Sequence, residues 1–322
     1  MTTEATANPS LTSHVVDGRP TGFARGVFVG NLIAQMAIVV TGAIVRVTSS
    51  GLGCPTWPRC TSESFVPVEG QPEQWHKYIE FGNRSLTFIL GVLAIMAVVV
   101  AVLDRRRRSL AHEPRRSRIF WLALVPILGT VAQAVLGGIT VLTGLNPFVV
   151  AAHFLLSLFL IALLTNLVVA SREQADQPIA LRVNEYIRKG TWLLSGLMAT
   201  VLVLGTLVTA SGPHAGDANV QRTGWDPQLV SWIHADLVLL SIGLTTGLLV
   251  ALRATNSPRD IGRAGLLALA LFLSQGLIGY VQYFTGLPWL VVVLHVLGSV
   301  VVWWATVRFL LRTRTRGTVL GA

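Results

Sequence analysis

The stretch RSLTFILGVLAIMAVVVAVLDRRRR, residues 84–108, decides the class of protein. From Ser85 to Leu103 it carries no charge, and it then breaks into Asp104 and the run Arg105–Arg108. A helix needs about 20 apolar residues to cross roughly 30 Å of hydrocarbon, and this run has that length. Seven more runs of the same kind follow or precede it, at about 26–46, 119–141, 148–170, 191–210, 229–252, 264–284 and 288–310. The chain of 322 residues is 52% apolar and only 12% charged, where a soluble domain is about 25% charged. That composition, with a mean hydropathy of +0.63, excludes a soluble enzyme and a disordered chain. The net charge of +10 does not mark a nucleic-acid-binding module, because the charges punctuate apolar runs instead of lining one face. A membrane β-barrel would show short alternating segments. The expected fold is all-α: a polytopic membrane protein with eight transmembrane helices.

Lys and Arg fix the expected orientation. With the N-terminus inside, the segments 1–25, 104–118, 171–189, 253–263 and 308–322 hold 20 of the 25 basic residues. Arg46, Arg59, Lys77, Arg84 and Arg222 are left for the spans and the opposite side. The positive-inside rule then places both termini in the cytoplasm. Residues 1–22 are polar, with Pro9 and Pro20, and read as a disordered cytoplasmic tail.

The sequence also repeats itself. Gln133, Gly137, Thr143-Gly144-Leu145, Pro147 and His153 recur as Gln275, Gly279, Thr285-Gly286-Leu287, Pro288 and His295, at one constant offset apart from the proline. A weaker match joins Thr41-Gly42-Ala43-Ile44-Val45 to Leu204-Gly205-Thr206-Leu207-Val208. The chain therefore reads as two pseudo-symmetric four-helix bundles, 23–170 and 190–312, joined by a cytoplasmic linker at 171–189 and followed by a tail at 313–322. An even number of spans per half gives both halves the same orientation.

Seven histidines are present. His14, His76, His112 and His214 fall in the tail or in loops and read most simply as solvated. His153, His234 and His295 lie inside spans four, six and eight, a few residues from the outer end. An ionisable group within a span is expensive and marks function, and three at one depth point to ligation. Zinc would want Cys, carboxylate or a further His close by. Single imidazoles on separate helices, with Gly276, Gly279 and Gly298 nearby, suit a bis-histidine haem in a bundle core.

By position in its half, Asn83 is the counterpart of His234, so the first half offers Asn83 and His153 where the second offers His234 and His295. Glu80, Asn83 and Arg84 share one helix face, and Ser231 stands in the second half where Glu80 stands in the first. Glu80 reads either as an ion-pair partner of Arg84 at the membrane interface or as an acid/base group beside an open haem face. Cys54 and Cys60 lie in the long outer loop with two prolines and Trp57 between them. A disulfide there suits the oxidising compartment; the spacing leaves a structural staple and a redox-active pair equally open.

The stretch Val45–Pro55 with Trp57, Pro58 and Cys60 resembles a signature of the haem A synthase family, as do Glu80…Arg84 and the three intramembrane histidines. The resemblance runs from about residue 26 to 312. It implies a bacterial cell-membrane oxidoreductase acting on a CH group, which oxidises the C8 methyl of haem O to a formyl and gives haem A for cytochrome oxidase. It implies haem B as cofactor, with His234 and His295 as its axial ligands. The substrate haem site then falls on Asn83, His153 and Arg84, with Glu80 catalytic. Many family members have His where this chain has Asn83. The paired cysteines fit members with an outer-face disulfide. The implied partners are haem O, a haem O synthase and a membrane electron acceptor; a homo-oligomer is left open. Two other classes compete. A cytochrome-b-like electron carrier would need two matched bis-histidine sites, and Asn83 breaks one. A haem transporter would have broken helices near the midplane, whereas the polar residues here cluster at the outer ends.

Overall fold

The computed structural model describes residues 22–114, 116–173, 176–217 and 219–316. Among them are eight long helices: α1 (Gly22–Val47), α2 (His76–Leu110), α3 (Ser117–Leu142), α4 (Pro147–Ala170), α5 (Glu185–Ser211), α6 (Pro227–Ala254), α7 (Arg259–Phe284) and α8 (Trp289–Arg312). All eight are long and apolar enough to cross a membrane, and the protein is a multi-pass membrane protein. The expected tail at 1–22 lies, but for Gly22, outside the described residues, as do 317–322.

Each set of four helices closes on itself. In the first, α1 packs on α2, α2 on α3 and α3 on α4, and α4 returns to α1; α5 to α8 repeat the same circuit. The two sets meet through α1 and α4 against α8, and α4 against α5. Between apolar helices the contacts that discriminate are hydrogen bonds and close packing. Asn31 Nδ2 donates to Leu93 O at 2.7 Å, joining α1 to α2, and Trp303 Nε1 donates to Leu158 O at 2.8 Å, joining α8 to α4. Outward-facing side chains such as Ile95 and Leu128 remain exposed, as expected of surfaces that meet lipid.

The helices begin where the chain supplies caps. Asn146 and Asp226 accept from the amides of Phe148 and Gln228 at 3.0 and 2.9 Å, each followed by Pro at the first helical position. Helix α2 starts at His76, well before the apolar run at 84. Its first turns are polar, which hides them from hydropathy, and they carry Lys77, Glu80 and Asn83. Similarly α5 starts at Glu185 behind the Asn184 cap. One short ribbon interrupts the helical pattern: β1 (Ile179–Leu181) pairs antiparallel with β2 (Arg314–Arg316). It brings the linker and the tail together at the arginine-rich end. There Glu173 pairs with Arg118 and Arg314, and Asp260 with Arg182 and Arg312, so that half-buried charges are compensated.

At the other end the four connectors meet. Gly51 N donates to Gly216 O at 2.9 Å, and His214 Nε2 donates to Leu287 O at 3.0 Å. Leu145 packs with Ala215 and Val220. The repeated Thr-Gly-Leu turn explains why Leu145 is available. Gly144 and Leu145 have φ of 60° and 59°, and Gly286 and Leu287 have 76° and 62°. The glycine tolerates this region; the leucine is held in it at a cost of about 1–2 kcal/mol. Its amide bonds back to Thr140 O at 2.7 Å, as that of Leu287 does to Gln282 O at 2.9 Å.

Candidate functional site

Toward the connector end the helices enclose a cavity of about 1200 Å³, lined by both sets of four and mostly by apolar side chains. That exceeds the roughly 300–1000 Å³ of an ordinary small-molecule pocket. His153, His234, His295, Asn83, Glu80 and Arg84 all line it.

Each histidine is seated on a glycine of a neighbouring helix. A Cβ built on Gly137 would lie 3.2 Å from His153 Cε1, on Gly205 3.3 Å from His234 Cε1, and on Gly279 3.3 Å from His295 Cε1. A side chain at any of these positions would crowd the ring and push it off by a few tenths of an ångström. The support behind the rings is repeated too. Gln133 Nε2 donates to His153 O at 3.3 Å and to Ser157 Oγ at 2.7 Å; Gln275 Nε2 donates to His295 O at 2.6 Å. His234 Nδ1 stands 3.0 Å from Val201 O. A carbonyl can only accept, so Nδ1 carries the proton and Nε2 keeps a free lone pair.

These residues fit an iron porphyrin and not a metal ion held by protein alone. Among the described residues no group of three or more His, Cys, Asp or Glu could hold a metal ion. A porphyrin supplies its own equatorial nitrogens and needs only axial ligands. His234 and His295, on α6 and α8, have ring centres 6.5 Å apart. The Nδ1 atoms of His153 and His295 are buried without a hydrogen-bond partner.

The first set departs from this pattern at one point. Gly42, the repeat counterpart of Gly205, has open space where a Cβ would go. Asn83, opposite, is too short to fill it, and its Oδ1 accepts from Thr41 Oγ1 at 2.7 Å.

The cysteine loop covers this half. Cys54 and Cys60 form a disulfide and are both buried. Trp57 lies against Gly138, whose Cβ would fall 2.4 Å from its ring; Tyr280 holds the equivalent place in the second repeat. Glu80, 5% exposed, fastens the loop to α2. Its Oε2 accepts from Cys54 N at 2.6 Å, and its Oε1 accepts from Arg84 Nε at 2.9 Å. Arg84 in turn donates to Cys54 O at 2.7 Å and Thr56 O at 2.9 Å. The ion pair expected of Glu80 and Arg84 is therefore present, and Glu80 faces the cavity as well.

Two of the histidines expected to be solvated are engaged. His76 Nδ1 lies 3.0 Å from Ser50 Oγ with its ring stacked on Trp75, and His214 bonds Leu287. Arg46 lines the cavity without having been singled out in the sequence, where Trp57 stood only as part of a stiff loop able to lie over a pocket. For Trp57 the signal was there, since Gly138 breaks the repeat by standing where Tyr280 stands.

Because one bond joins the two cysteines, Cys54→Ser and Cys60→Ser should behave alike. Closing a loop this short stabilises by about 2 kcal/mol, so both variants should show a similarly lowered thermal midpoint. One harmless and one inert variant would mean that the bond is not what matters.

Residues 25–307 match the model of a family described as cytochrome oxidase assembly protein (COX15-CtaA). A protein named heme A synthase from Geobacillus kaustophilus is 30% identical over 124 residues, 38% of this chain and 35% of that protein. One of the same name from Halalkalibacterium halodurans is 27% identical over 277 residues, 82% of this chain and 88% of that protein. A third, from Lysinibacillus sphaericus, is 31% identical over 179 residues, 55% and 54% of the two chains. The stretch matched in the Geobacillus kaustophilus protein thus spans about a third of its length.

Proposed function

The chain belongs to the cytochrome oxidase assembly protein family, and we propose that within it this protein is a haem A synthase, oxidising the C8 methyl of haem O to a formyl group. The observation that carries the proposal is the pair His234 and His295, whose ring centres lie 6.5 Å apart in a cavity also lined by His153 and Glu80. His234 and His295 would hold haem B, and Val201 O fixes the ring of His234 for ligation. Converting the methyl to a formyl adds one oxygen atom and, with water as its donor, releases four protons and four electrons; when bound, haem B would supply a one-electron outlet for these toward the membrane acceptor. The half 23–170 takes haem O. His153 binds it from α4, the Asn83 amide offers hydrogen bonds from α2, and Arg84 holds the cysteine loop over it. The Glu80 carboxylate, already facing the cavity, takes up the protons released as the methyl is oxidised. Trp57 and Pro58 line the cavity beneath the loop.

The asymmetry of basic residues supports insertion in the cell membrane with both termini cytoplasmic and the cysteine loop outside. A haem O synthase as supplier and a membrane electron acceptor complete the cycle. The electron-carrier reading is disfavoured by Asn83, which leaves one half without a second imidazole.

Expression beside a haem O source, followed by extraction and chromatography of the pigments, tests the function. Haem B together with haems O and A is the expected result. Haem B alone, or a single haem in two equal sites, would overturn it.

Asn83→His probes the open side of the first half. The space over Gly42 should admit the imidazole, so the variant should fold. Iron porphyrin bound in that half should then move from high spin to low spin in the optical spectrum. An unchanged spin state would mean that position 83 does not face the iron.

A further inference from the structure

We propose that Arg46 and Arg222 form a carboxylate-binding site at the connector mouth of the cavity, which takes the acidic side chains of a bound porphyrin. The proposal deepens the haem reading above and rests on it. At the opposite end of the bundle the arginines that come together have acidic partners, Glu173 and Asp260. Arg46 and Arg222 have no ion-pair partner among the described residues, and both donate to carbonyls of one short segment, those of Thr209 and Pro213. Arg46, at the end of a membrane-spanning helix and facing the cavity, loses hydration there, a cost that an anion offsets.

Their hydrogen bonding is incomplete in the same sense. Arg46 Nη2 donates to Thr209 O at 3.0 Å, and Arg222 Nη2 donates to Pro213 O at 2.5 Å. Arg46 Nε and Arg222 Nη1 are buried with no partner. These are donors only, in the planar arrangement that matches a carboxylate. The setting is built for it. Arg46 lines the cavity at the end of α1, and Gly216, at φ +102°, passes close to its Cγ. Thr209 is the repeat counterpart of Arg46, so the arginine sits where the two halves meet and reaches ligands of either. The three cavity histidines lie near this same end. A porphyrin they held would turn its ionised groups away from hydrocarbon, toward this mouth.

The test compares iron protoporphyrin with its dimethyl ester, which keeps the ring and iron but removes the carboxylates. Each is titrated into the full-length protein in detergent, produced under haem limitation, with binding read from the absorbance spectrum. Wild type should bind the diacid at least about tenfold more tightly than the ester, the worth of one hydrogen bond to a charged group. Arg46→Gln and Arg222→Gln should each weaken the diacid and leave the ester unchanged. Arg222→Gln lies in a loop and carries the test if Arg46→Gln does not fold. Equal binding of both porphyrins by wild type, or equal weakening of both by the variants, would overturn the site while leaving haem binding intact. Binding of neither would overturn the haem reading and this inference with it. Repeating the titration in His295→Ala identifies the source. Discrimination lost there assigns the carboxylates to the resident porphyrin, and discrimination kept assigns them to the substrate.

Discussion

Changing His234 or His295 to alanine should remove haem B from the protein, and either change alone should suffice. The two rings come from different helices, α6 and α8, with centres 6.5 Å apart, so neither helix can compensate for the loss of the other. The bound group also stabilises the fold by mass action, about 2.7 kcal/mol when present at 100 times its dissociation constant. These variants should therefore express poorly or melt earlier, and the low-spin spectrum of haem B should vanish. His153→Ala is the control. It has the same glycine seat and the same glutamine behind it, but it belongs to the other half. It should keep haem B and lose haem O and haem A. The measurement is the reduced spectrum with extracted pigment for each variant. A His234→Ala protein with its full haem B spectrum would overturn the assignment of the halves.

What the sequence told of this site, and what it did not, follows from two kinds of signal. The spans were legible because lipid demands length and apolarity, and those are properties of single segments. The three histidines and their repeat were legible because ionisable groups stand out against such a background. Helix α2 extends back to His76, ahead of the helical face at Glu80, Asn83 and Arg84, because its first turns are polar and carry no hydropathy signal. The ribbon of 179–181 with 314–316 joins residues far apart in sequence and has no local pattern to announce it. The glycine seats lay half-visible. Gly137, Gly279 and Gly205 were already part of the repeats, but that each faces an imidazole depends on how neighbouring helices pack. The open space over Gly42 was legible only as the odd residue Asn83.

The same limit applies to Glu80, where one side chain supports two roles. The strut is directly visible: both carboxylate oxygens are engaged, by Cys54 N and by Arg84. A strut by itself would let a neutral residue of the same shape serve, because an amide oxygen still accepts from the Cys54 amide. Proton uptake would not survive that exchange. Glu80→Gln should therefore keep the disulfide loop in place, keep haem B, and lower the rate of haem A formation by about 10²–10⁴-fold, the usual worth of a general acid or base. Glu80→Ala should lose haem A as completely and should also destabilise the loop, since it leaves Arg84 half-buried without its carboxylate. The two variants together separate the roles through two readouts: the rate of haem A formation, and the accessibility of the loop to protease. Haem A made at the normal rate by Glu80→Gln would refute the acid/base role and leave the carboxylate as the peg that holds the loop to α2. A Gln variant that fails in synthesis while its loop stays protected would place the proton at the Glu80 carboxylate, on the side of the cavity opposite no other acid, since Ser231 occupies the corresponding position in the second half.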